Sequence, residues 1–96
     1  MIPASMMASI VLKVKNEENN IADALDSLVV QEGPLEIVIV DGYSNDRTPV
    51  IIRDYADRFD FIHLHQHGGT RGESLNHGLS LAKGDIIALT DGDVIA

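Results

Sequence analysis

Cysteine and tryptophan are absent from this 96-residue sequence, which holds only two tyrosines and two phenylalanines. Without thiols there is no disulfide framework, and a zinc site would have to be built without thiolates. Basic residues are scarce: seven stand against fifteen acidic ones, a formal net charge of −8. That balance argues against a nucleic-acid backbone or an anionic membrane surface as the main partner. An acidic chain that binds a phosphorylated ligand needs counter-charge, which a bridging metal ion supplies; acidity also serves solubility by itself. No run reaches 18 apolar residues, so no transmembrane helix is encoded. The opening Met1-Ile-Pro-Ala-Ser lacks the basic segment and long apolar core of a signal peptide. A cytoplasmic setting is the expectation.

What is present is an alternation of two hydrophobic periods. Ser9–Val14 is a strand rich in β-branched residues, followed by the polar break Lys15-Asn16-Glu17-Glu18. Asn16 is the expected N-cap of a first helix, with Ile21, Ala24, Leu25 and Leu28 on its inner face and Gly33-Pro34 as its stop. Leu35–Val40 carries four consecutive β-branched residues, the pattern of a strand buried on both faces. A turn-rich loop, 41–46, leads to Thr48-Pro49, read as N-cap and first residue of a second helix with Ile51, Ile52, Tyr55, Ala56 and Phe59 inward. Phe61–His65 is a third strand. Glycine-rich 67–72 precedes a third helix with Leu75, Leu79 and Ala82 inward, ending near Lys83-Gly84, and Ile86–Leu89 is the fourth strand. The fold expected is α/β: a Rossmann-like, three-layer β-α-β-α-β-α-β single domain with a four-stranded parallel sheet in the order 3-2-1-4. The switch point between strands 1 and 4 is then where a nucleotide belongs.

The fourth strand runs into Thr90-Asp91-Gly92-Asp93. Carboxylates at the carboxyl end of a buried strand suit Mn2+ or Mg2+, and the intervening glycine lets both face one ion. A tight Asp-Gly turn is the plainer alternative. His63, His65 and His67 share one face at strand spacing, a zinc cluster or, more simply, a polar edge. Glycine-rich 68–72 has the makings of a phosphate cradle at a helix N-terminus, but it is neither a P-loop nor a dinucleotide fingerprint.

Four segments in order carry a resemblance. Val40-Asp-Gly-Tyr-Ser-Asn-Asp-Arg-Thr48 resembles the V-D-x-x-S-x-D-x-T signature of family 2 type inverting glycosyltransferases of the GT-A fold. Lys15-Asn16-Glu17-Glu18 resembles their first-strand motif. Gly68-Gly69, Asn76, Gly78, Ala82 and Gly84 fit their glycine-asparagine spacing, with His67 where asparagine is usual, and Asp91-Gly92-Asp93 fits their D-x-D motif. The resemblance implies that Asp41 reads the nucleobase, usually uracil, and that the backbone near Val14 lies along base and ribose. It implies that Arg71 approaches the diphosphate, that Asp91 meets the ribose, and that Asp91 and Asp93 hold the metal. The chemistry agrees, since an acceptor-only carboxylate suits an imide N–H and a guanidinium suits phosphate oxygens. Asp41 as a plain turn residue, Arg71 as a solvated helix start, and Ser44 and Asp46 as loop and cap residues are the structural alternatives. Lys13-Val14-Lys15 replaces the usual Pro-Thr-Tyr.

In such enzymes the acceptor site and the general base lie in a second half, and no residue here matches the base. The expectation is therefore a donor-binding half that holds a nucleotide-sugar donor, with the C-terminal half missing. The alternative is a catalytically inactive nucleotide-binding or self-assembling module. An unpaired edge along 85–91 predicts a homo-oligomer, an expectation that a clean monomer in concentrated sedimentation runs would count against. A phosphorylation receiver fits worse, because lysines stand where it needs acids after strand 1. A nucleotidyltransferase would want a basic, glycine-rich loop there.

Overall fold

The computed structural model describes residues 7–30 and 35–91. Seven elements alternate: β1 (Ala8–Val14), α1 (Ile21–Val29), β2 (Leu35–Asp41), α2 (Thr48–Arg58), β3 (Ile62–Gln66), α3 (Arg71–Leu81) and β4 (Ile86–Asp91). All strand pairs are parallel, and the sheet order is β3-β2-β1-β4. Parallel neighbours need crossovers, and the three helices supply them.

The helices cover both faces. On one, Leu12, Val14, Ile37 and Ile39 meet Ile21, Leu25 and Leu28 of α1 and Ile52 and Tyr55 of α2. On the other, Val11 and Val38 meet Leu75 of α3. The run of β-branched residues in β2 is buried on both sides, as its pattern requires. Here α3 approaches so closely that a Cβ on Gly78 would stand 2.4 Å from Val11 Cγ1 and 3.1 Å from Val40 Cγ2.

At the amino-terminal edge of the sheet a buried polar latch ties β1, β2 and the α3–β4 connection together. Ser9 donates to Glu36 (2.6 Å), the Lys83 N–H donates to the same carboxylate (2.9 Å), and the Gly84 N–H donates to Ser9 Oγ (2.7 Å). Met7 and Asp85 add two further bonds, Asp85 N–H to the Met7 carbonyl and Met7 N–H to the Asp85 carboxylate. Ser9 and Glu36 give no cue to this network in the sequence, because a lone serine or glutamate near the start of a strand reads as solvent-facing.

Two helix starts differ from expectation. Asn16 is not a cap: α1 begins at Ile21 with Asn20 before it, and Asn16 has φ +53°. Its side chain instead accepts the Asn45 N–H (2.8 Å), so its hydrogen-bonding capacity is spent between loops. Thr48 is the first residue of α2 rather than its cap, and Asp46 accepts both the Thr48 N–H and its hydroxyl. An aspartate two residues before the helix outcompetes threonine for that role because its carboxylate reaches both donors. Helix α1 ends at Val29, and the Gly33-Pro34 stop lies outside the described residues.

Candidate functional site

The carboxyl ends of the strands bring the candidate residues together by register. Val14 pairs with Asp41, Lys13 with Asp91 and Asp41 with Gln66, so four adjacent strands end side by side at one edge. The backbone thus sets Asp91 one residue from the strand neighbour of Val14. The side chains of Asp91 and Arg71, and all of Asp93, lie outside the described residues.

Asp41 is fully buried. One carboxylate oxygen accepts the Ser44 hydroxyl (2.5 Å); the other accepts the Ser44 N–H (3.0 Å) and the Gln66 amide (3.3 Å). Ser44 Oγ in turn accepts the Asn16 N–H (2.8 Å). Thr48 Oγ1 accepts the Glu17 N–H (2.8 Å), and Asp46 accepts the Glu18 N–H (3.2 Å). The acid-and-hydroxyl positions of the 40–48 segment therefore clamp the 15–18 loop, and Ser44 and Asp46 are the loop and cap residues expected of them. The same wiring holds the Asp46 carboxyl below its usual range: its slight desolvation acts upward, but the Thr48 and Glu18 donors outweigh it. Gly42 N–H donates to the Val14 carbonyl (2.9 Å), and the Lys15 stem runs 3.6 Å from where a Gly42 Cβ would stand. The parts that sequence reasoning missed are Asn16, whose role arises from the meeting of two loops, Gln66, the register partner of Asp41 at the end of β3, and Tyr43, which sits at φ +59° with 58% of its surface exposed.

The glycine-rich turn before α3 is already capped. Thr70 and Glu73 form a reciprocal capping box, and their mutual hydrogen bonds hold the Glu73 carboxyl below its ordinary range. A carboxylate seated on the helix N-terminus satisfies donors that a phosphate would use, which weakens the phosphate-cradle alternative for 68–72. The histidines gather around α3: His67 stacks on His77 at 4.3 Å, and His65 meets His77 edge-on at 6.5 Å. Among the described residues no group of three histidine, cysteine or acidic side chains is arranged to hold a metal.

This packing makes stability pH-dependent. Desolvation, then the neighbouring His63 and His77, hold His65 below its usual 6.5. A native pKa below the unfolded one means the unfolded chain gains protons first, so stability declines as pH drops below about 6.5. Burial acts upward on Glu36, but the Lys83 N–H and Ser9 hydroxyl outweigh it and hold its carboxyl below 4.5. Its contribution is complete above that value and is lost as pH falls through the native pKa. The melting temperature is expected to fall in two stages from pH 7.5 to 4, and the first stage should shrink in His65→Gln. A flat profile between pH 7.5 and 5.5 would contradict the histidine packing.

Comparison with known proteins agrees with this geometry. The glycosyl transferase family 2 model matches residues 9–96. Among curated relatives, the uncharacterized glycosyltransferase EpsJ of Bacillus subtilis is 36% identical over 95 residues, covering 97% of this chain and 27% of EpsJ. A mannosyltransferase from Pyrobaculum calidifontis, solved with GDP-Man and Mn2+, superposes with a TM-score of 0.80 at 32% identity, covering 90% of this chain and 27% of that one. Residues 1–349 of S. aureus TarS, solved with UDP, superpose with a TM-score of 0.81 at 29% identity over 92% of this chain and 28% of that one. The chain spans about a quarter of the length of the first curated relatives it matches. Its α/β architecture, its ordered motifs and this match over nearly its whole length make the chain a member of glycosyl transferase family 2.

Proposed function

We propose that this chain is the donor-binding portion of a glycosyltransferase and holds a nucleoside diphosphate sugar, a UDP-sugar in the first instance, at the carboxyl edge of its sheet. The observation that carries the reading is the strand register that aligns Val14, Asp41 and Asp91 on three neighbouring strands. The solved relatives bound to GDP-Man with Mn2+ and to UDP support the same ligand class. Asp91 and Asp93 supply hard carboxylate oxygens, a donor set that fits Mn2+ or Mg2+. The ion, when bound, offsets the diphosphate charge and eases departure of the nucleoside diphosphate.

The chain's own residues have distinct tasks in this reading. Lys13, Val14 and Lys15 border the base and ribose, and Arg71 is the cation assigned to the diphosphate. Asp41 reads the base by exchanging one partner. The bond to exchange is the one from Gln66, the longest of the three at 3.3 Å and made by an exposed, flexible side chain. Sugar transfer also needs a base to take the acceptor's hydroxyl proton. The reading assigns that group, with the acceptor site, to a portion of the enzyme beyond these motifs. Homo-oligomerisation along the 85–91 edge and a cytoplasmic setting are further parts of this proposal.

Calorimetric titration tests it. UDP is expected to bind in the presence of Mn2+ and to bind at least tenfold more weakly after chelation, the effect of losing a charge-assisted contact of about 1.5–3 kcal/mol. Equal binding with and without Mn2+ would remove the metal from the account, and no binding in either case would remove the donor site.

A further inference from the structure

Tyr43 has no evident part in folding. Its backbone lies at φ +59°, where a bulky side chain is rare and glycine or asparagine is at ease. The ring does not repay this by entering the core: the residue is 58% exposed, and one ring edge comes within 3.7 Å of where a Gly68 Cβ would stand. The neighbours impose the conformation. Asp41 accepts the Ser44 N–H on one side, and Gly42 is tied to the Val14 carbonyl on the other. A strained backbone that is held in place and displays an unburied aromatic points to a function at that spot.

Its location says which function. Tyr43 stands two residues past the end of β2, between the loop clamped by Asn16 and the Gly68-Gly69 turn. Ligands of open α/β sheets bind outside these strand ends. The nearest polar group of the β2 end, Asp41, is an acceptor suited to a base N–H. An aromatic ring offers a base what a carboxylate cannot, a plane to stack on, and stacking tolerates any base. We infer that Tyr43 is the stacking platform for the donor's nucleobase, an inference that rests on the donor-binding reading above.

The test compares wild type with Tyr43→Phe, which keeps the ring, and Tyr43→Asn, which removes it but accepts the backbone conformation. Three probes are titrated with Mn2+ present: UDP, GDP and inorganic pyrophosphate. Tyr43→Asn is expected to bind UDP and GDP about tenfold more weakly, to bind pyrophosphate as wild type does, and to melt at no lower temperature. Tyr43→Phe should stay within about twofold of wild type for all three. With diamagnetic Mg2+ in place of Mn2+, the H5 and H6 protons of bound UDP should move upfield in wild type and lose that shift in Tyr43→Asn. Unchanged UDP affinity in Tyr43→Asn overturns the inference, as does an equal loss toward pyrophosphate or a lowered melting temperature, either of which would make the ring a loop support. If wild type binds pyrophosphate but neither nucleotide, the inference fails on its own. If it binds none of the three, the donor-site reading fails first and takes this one with it.

Discussion

Gly84→Ala is expected to destabilise the fold by about 3 kcal/mol or more, the sum of an overpacking cost and a lost buried hydrogen bond. A Cβ there would stand 2.4 Å from Ser9 Oγ, 2.7 Å from the Ser9 nitrogen and 2.8 Å from the Met7 carbonyl oxygen. Two of these atoms are backbone, one in β1 and one just before it, so no rotamer change makes room. The chain must back away, and the Gly84–Ser9 bond and its link through Ser9 to buried Glu36 go with it. Gly78→Ala meets the side chains of Val11 and Val40 instead, and alanine recovers about 1 kcal/mol of helix propensity. Its net cost should therefore be the smaller of the two. Since a domain of this size shifts roughly 4–8 °C per kcal/mol, thermal melts followed by circular dichroism should show Gly84→Ala falling by more than about 10 °C. A shift of only two or three degrees would mean that the latch does not form as described.

Asp41→Ala is expected to damage stability and nucleotide binding together. Its carboxylate is fully buried and accepts three donors. Removing it orphans the Ser44 N–H and loosens the Ser44–Asn16 link that fastens the first loop. The cost is about 1–3 kcal/mol for the unsatisfied buried donor, and UDP affinity should drop at least tenfold through loss of the acceptor and of loop order. Gln66→Ala separates the two roles. It deletes the partner that competes with the base, so UDP affinity should hold or rise. If Gln66→Ala loses UDP as severely as Asp41→Ala, the glutamine is itself a ligand contact, and the exchange proposed for Asp41 is wrong.

The difference between these two sites explains what the sequence could tell a reader. Strand and helix identities rest on local periodicity, which is why Ile21, Leu25 and Leu28 or the Ile37–Val40 run are readable directly. The carboxyl-edge grouping of Val14, Asp41 and Asp91 follows once the strand alternation is seen, because parallel strands must end together. Hydrogen bonds between distant loops have no such period. Asn16 looks like a helix cap until Asn45, 29 residues later, occupies its side chain. Glu36 looks like a surface glutamate until Lys83, 47 residues later, donates to it. Tyr43 is the same kind of case, since its strain depends on two fixed neighbours rather than on its own propensity.

The most direct test of the account follows the metal itself. Mn2+ is paramagnetic and broadens the amide signals of residues near it, so a backbone-assigned spectrum of the chain with UDP maps the ion's position. The account predicts that trace Mn2+ erases signals of residues 91–93 and weakens those of Lys13, the strand partner of Asp91, and of Val14 and Lys15 next to it, while Ser9, Glu36 and Lys83 at the opposite edge stay sharp. Broadening centred on His63, His65 and His77, with Lys13–Lys15 untouched, would contradict it.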